Sequence, residues 1–199
     1  IKKCWRDTVV AIIFGTVLGL GVLWGWRYYT DTQILAKEMA STEYQTLVTS
    51  LSEEAALDES KAFITAQGET GYAPLAGFIA AQAAVEKADF PAALSQLQQV
   101  TALTSDPILL NVAHLRLARV QFAIEDYSAA LTSLNSVTNE AFTADKEALR
   151  GDVFVAQGDF NQARTAYTAS LAANDDRSVK IRLDNIGALI DAAADSTGN

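Results

Sequence analysis

A single cysteine, Cys4, in 199 residues leaves no partner for an internal disulfide. A bacterial lipid anchor needs its cysteine after an apolar run, and Cys4 stands before one. His114 is the only histidine, so no His cluster exists to hold a metal. Prolines number three, and runs of alternating valine, isoleucine and threonine are missing, which speaks against strands and for helices. Basic charge is scarce as well. Three basic residues and one acidic residue precede Arg27, so the rest carries 12 Lys+Arg against 23 Asp+Glu, a net of −11 within a total of −9. That balance argues against nucleic-acid binding, which rests on basic patches. The chain begins with Ile1 rather than Met, from which we expect native sequence upstream.

What is present begins with TVVAIIFGTVLGLGVLWGW, residues 8–26, a stretch of 19 without a charge. As a helix it spans about 28 Å, close to the hydrocarbon thickness of a bilayer. A cleaved signal peptide has a shorter apolar core and small residues at the cut, whereas WRYYTD follows here. A buried core helix is rarely apolar on every side and flanked by Lys2, Lys3 and Arg6. The expectation is a retained anchor over residues 8–29, with residues 1–7 as a cytoplasmic flank. Lys2, Lys3 and Arg6 before the span outweigh Arg27 after it, which places the N-terminus in the cytoplasm and the remainder across the membrane. Trp24, Trp26, Tyr28 and Tyr29 form the far interface. Gly15 with Gly19 and Gly21 with Gly25 stand four apart, a spacing that lets a neighbouring helix approach closely. The two pairs point in different directions, so they serve two neighbours or none.

A second pattern lies further on. The phrase acidic–aromatic–two spacers–alanine occurs as Asp89-Phe90…Ala93, Asp126-Tyr127…Ala130 and Asp159-Phe160…Ala163, with starts 37 and 33 residues apart. Twelve residues before each alanine stands a small residue, Ala81, Ala118 or Gly151, and four after it a large one, Leu97, Leu134 or Tyr167. This spacing predicts antiparallel helix pairs in which the small residue admits the alanine of the second helix and the aromatic fills the turn. One pair cannot bury its own stripe, so pairs stack into a solenoid. The fold class expected is all-α, with one N-terminal transmembrane helix followed by a tetratricopeptide-like α-solenoid. Helices are predicted at 30–54, 58–67, 74–87, 91–103, 107–124, 128–137, 144–157, 161–173 and 177–194. Pro74, Pro91 and Pro107 fall in first turns, Asp106 is a cap, and Gly68 and Gly158 fall at helix ends. Residues 30–72 form juxtamembrane helices, with Tyr44, Leu47, Val48 and Leu51 as an inward stripe. Residues 73–199 form the repeat domain, closed by a capping helix with Val179, Leu183, Ile186 and Ile190 on one face.

The small–aromatic–alanine–large alternation, best kept in QGDFNQARTAYTASL, resembles the tetratricopeptide repeat, although the first two copies lack its usual glycine. GVLWGWRYYTD, HLRLARVQ and LRGDVFVAQGDFNQAR resemble the YfgM family of Gram-negative bacteria over nearly the whole chain. That resemblance implies a single-pass inner-membrane protein with a periplasmic repeat domain. It would be an ancillary subunit of the SecYEG translocon and a partner of the membrane-anchored periplasmic chaperone PpiD. Its role would be to help proteins emerging into the periplasm, secretory or outer-membrane clients among them. A repeat scaffold for envelope assembly, unconnected with the translocon, is the alternative.

No catalytic or cofactor-binding constellation is evident, so a non-enzymatic protein without cofactor is expected. Asp175-Asp176 and Glu53-Glu54 are adjacent carboxylates that point to different sides of a helix, and Gly68-Glu-Thr-Gly71 is too short for a phosphate loop. The expected functional surface is the groove lined by first helices. Spacing assigns Gln82, Glu86, Leu115, Arg119, Phe122, Asp152 and Val155 to it, with Leu115 and Phe122 fitting a core role too. Arg119 meets either a peptide carboxylate or, as scaffolding, Asp152.

Overall fold

The structure, a computed structural model, describes residues 2–50, 55–68 and 70–197, with side chains from Gly19 to Gly187 apart from Ala36 and Ser50. Among these residues the chain forms nine α-helices and one 3-10 turn. Two compact units divide it, residues 1–49 and 50–199.

The first unit is essentially one helix, α1 (Lys2–Ser50). Leu20, Val22, Leu23, Trp24, Trp26, Tyr28 and Tyr29 are all exposed, which is apolar surface on successive positions around the helix. Trp24 stacks on Tyr28 with ring centroids 6.1 Å apart. Threonine hydroxyls bond back to carbonyls one turn earlier, Thr30 to Trp26 at 3.1 Å and Thr46 to Thr42 at 2.9 Å, so these polar groups need no outside partner. No helix among the described residues is long and apolar enough to cross a membrane. The side chains of residues 8–18, half of the expected anchor, lie outside those described, and the surroundings of Gly15 with them. Of the expected stripe, Leu47 is buried, Val48 is exposed and Leu51 lies outside the described residues.

The second unit is built from helix pairs: α2 (Ala56–Gln67), α3 (Ala73–Glu86), α4 (Phe90–Leu103), α5 (Pro107–Ala123), α6 (Tyr127–Asn135), α7 (Thr143–Ala156), α8 (Phe160–Ala173) and α9 (Arg177–Thr197). The repeated phrase has a local explanation. Asp89, Asp126 and Asp159 cap α4, α6 and α8, each accepting the backbone N–H three residues on, at 3.0–3.1 Å. The aromatic is therefore the first residue of the second helix rather than a residue before it. Just ahead of each cap sits a left-handed residue, Ala88 (φ 55°), Glu125 (φ 63°) or Gly158 (φ 78°). The capping aspartate's own N–H then reaches back to Ala84, Gln121 or Phe154 at 2.8–2.9 Å, the Schellman closure of the preceding helix. Two repeats thus make a glycine turn without glycine. Gly68, by contrast, ends α2 in right-handed geometry.

Each of these helices packs chiefly on its neighbours in sequence, more closely within the pairs α3–α4, α5–α6 and α7–α8 than between them, and the first helices touch in series, α3 with α5 and α5 with α7. Small-residue positions set the spacing: Ala93, Ala118, Ala130 and Ala163 are wholly buried. A Cβ on Gly151 would collide with the Tyr167 ring, so the glycine of repeat three makes room for the largest of the three residues four positions past the alanine. Gly77 plays the same part against Val100, a contact outside the repeated pattern. The core is a succession of clusters rather than a centre: Phe78, Leu97, Val100, Leu117 and Val120, then Leu115, Leu134 and Leu149, then Tyr167, Val179 and Ile186. Val179, Ile186 and half-buried Leu183 on α9 close the last pair. The side chain of Ile190 lies outside those described.

Candidate functional site: a cleft between first helices

Between α3 and α5 a cleft of about 360 Å³ opens over Val85, Phe90, Leu97, Val120 and Ala123. Gln82 and Glu86 of α3 and Arg116 and Arg119 of α5 give it its polar groups. The Gln82 amide donates to Glu86 Oε1 at 2.9 Å. Arg119 approaches Asp145 at 3.6 Å, with both side chains more than half exposed, a pair that water and salt weaken. Arg116 lies over the Phe78 ring, 4.6 Å from its centroid. Among the described residues it forms no ion pair. Burial, and then the charge of Arg119, hold the Arg116 guanidinium below its usual pKa. A half-buried cation pressed by a second cation is an environment that favours an incoming anion.

A second cleft, between α6, α7 and α8, contrasts with the first. Its cation, Arg150, is already met by Glu147 at 2.9 Å and Asn135 at 3.0 Å, which leaves no unmet charge there.

Of the residues that spacing assigned to the groove, the structure brings Gln82, Glu86 and Arg119 together. Leu115 is buried in the core, and Phe122 is half-buried against Tyr127, with centroids 6.1 Å apart. Val155 packs partly on the Tyr167 cluster. Asp152 is held from two sides. The Tyr167 hydroxyl donates to it at 2.6 Å, and Arg182 donates to both its oxygens at 2.8 and 2.9 Å. Burial and then the bond to Asp152 raise the Tyr167 pKa. Burial pulls Arg182 down, but the Asp152 charge and hydrogen bonds outweigh it and leave its pKa raised. This network ties α7, α8 and α9 together. Arg119 therefore pairs with Asp145, and Asp152 with Arg182. Arg116 and Val85 were missed, although each stands three residues from an expected groove residue on the same helix, the spacing that shares a face. Among the described residues no group of three His, Cys, Asp or Glu is placed to hold a metal.

The stacked pairs and first-helix cleft define a tetratricopeptide-like repeat module, and the chain matches the tetratricopeptide repeat-like domain over residues 2–188. It is 34% identical over 191 residues, 94% of either chain, to the ancillary SecYEG translocon subunit of Haemophilus influenzae. To the Escherichia coli K12 protein of the same name it is 36% identical over 173 residues, covering 86% of this chain and 84% of that one. The chain belongs to this family, the YfgM family of ancillary translocon subunits. Among solved structures it is similar to MamA from Desulfovibrio magneticus RS-1, at TM-score 0.64 and 18% identity over 78% of this chain and 86% of that one. That likeness concerns the fold alone.

Proposed function

We propose that this chain is a non-enzymatic inner-membrane adaptor of the Sec translocon. With a membrane-anchored periplasmic chaperone of the PpiD kind, it assists proteins emerging into the periplasm. The observation that carries the reading is identity of 34–36% to ancillary SecYEG translocon subunits over 86–94% of the chain. Residues 8–29 supply the anchor, with the N-terminus cytoplasmic and the repeat domain periplasmic. The charge-free run, the basic flank before it and the exposed apolar surface from Leu20 to Tyr29 support this placement. Gly19, Gly21 and Gly25 have open space where a Cβ would stand, room for a neighbouring membrane helix. The α3–α5 cleft is the surface for a partner or client segment.

Affinity purification of the tagged full chain in mild detergent tests the reading. Translocon subunits and the chaperone should come down with the intact chain and be lost when residues 8–26 are replaced by an unrelated membrane helix. If translocon subunits are absent while other envelope proteins co-purify, the chain is instead a scaffold of envelope assembly.

A further inference from the structure

The chain beyond Arg27 is strongly acidic, yet the α5 wall of the cleft presents two guanidinium groups within one helical turn. One of them, Arg116, is half-buried and forms no ion pair among the described residues, and the other has only an exposed, long pairing to Asp145. Beside them is an apolar floor. Val85 on it, in the last turn of α3, remains 40% exposed. Apolar surface left open beside an unmet cation asks for one ligand that answers both. We propose that this cleft takes an acidic peptide segment of a partner protein, with one apolar side chain on the Val85 floor and a carboxylate on Arg116 and Arg119.

The inference rests on the adaptor reading and adds what the adaptor recognises. A volume of about 360 Å³ suits one large side chain with part of its backbone, not a whole helix. The cleft is also polarised. The Gln82–Glu86 pair on α3 faces the segment with acceptor oxygens, which suit peptide N–H groups and repel a second carboxylate. The segment therefore lies with its acid toward α5 and its backbone donors toward α3. Repulsion from the acidic remainder of the chain is screened within about 8 Å at physiological salt, so the local wall decides selectivity. Apolar contact supplies most of the affinity, and the arginine pair supplies the discrimination.

The test uses the full chain in mild detergent and three labelled twelve-residue peptides on a Gly/Ser background. They carry Asp-Phe-Asp, Lys-Phe-Lys or Asp-Ser-Asp at the centre, and binding is read by fluorescence anisotropy. The Asp-Phe-Asp peptide should bind about tenfold or more tighter than either other, the factor that one lost charge-assisted or aromatic contact gives. Arg116→Met and Val85→Glu should each weaken it by about the same factor, with thermal melts reporting whether the variants stay folded. Glu86→Gln should tighten it about two- to fivefold by removing a like charge, a gain that misfolding cannot mimic. Equal binding of the Lys-Phe-Lys peptide, or a Glu86→Gln variant that binds no better, overturns the proposal. So does a dimer of the chain that Val85→Glu dissociates, because the occupant is then a second copy. If the acidic peptide fails while translocon subunits still co-purify, this inference falls and the adaptor reading stands. If co-purification fails, the adaptor reading falls.

Discussion

Ala88 and Glu125 occupy the left-handed turn that the third repeat gives to Gly158. A Cβ in that conformation costs roughly 1–2 kcal/mol, part of which glycine's larger entropy loss on folding gives back. Ala88→Gly and Glu125→Gly should each therefore stabilise the repeat domain by about 0.5–1 kcal/mol, seen as a higher denaturant midpoint. Unchanged or lower midpoints would mean that the turn is not strained. His114 offers a second residue-scale test. Burial lowers its pKa from 6.5, so the fold favours neutral imidazole. The stability linked to it is complete above pH 6.5 and is lost as pH falls through the lower folded value. Denaturation between pH 7.5 and 5 should show the wild type losing more stability than His114→Asn. Because no other histidine titrates in this window, the difference reports this site alone.

At the scale of elements, the helix pairs could be read from residue types because capping, proline placement and small-for-large exchange are local. Asp89, Asp126 and Asp159 announced α4, α6 and α8, and the buried alanines followed at fixed offsets. Two things were not legible. The left-handed turns at Ala88 and Glu125 lack their usual residue, and only the backbone reveals them. The partner of an arginine depends on crossing angles between helices, so spacing offered Arg119 the wrong carboxylate, Asp152, and did not find Asp145. The cleft was half legible for the same reason: Gln82, Glu86 and Arg119 were found, while Leu115 faces the opposite way, into the core. The proposed topology of α1 also belongs to this scale. In a Cys4→Ser background, exposed Ser95→Cys should react with a membrane-impermeant maleimide in intact spheroplasts, whereas native Cys4 should react only after lysis. The reverse pattern would turn the chain over in the membrane.

The whole repeat domain is a row in which each helix rests on its neighbours, and no single core gathers all of them. Such a row exposes a long face at small cost in stability, because the surface between first helices is not needed to bury the rest. The Tyr167–Asp152–Arg182 network and α9 hold its far end, and the cleft lies toward the other end, between α3 and α5. The proposed adaptor acts by presenting a surface, and that surface should therefore decide what it touches. In-cell photocrosslinking measures this most directly, with a photoreactive residue at position 82 in the cleft or at position 98, exposed on α4. Adducts with translocon subunits or the membrane-anchored chaperone from position 82, and none from position 98, are the predicted result. Adducts from position 98 alone, or equally from both, would contradict the account.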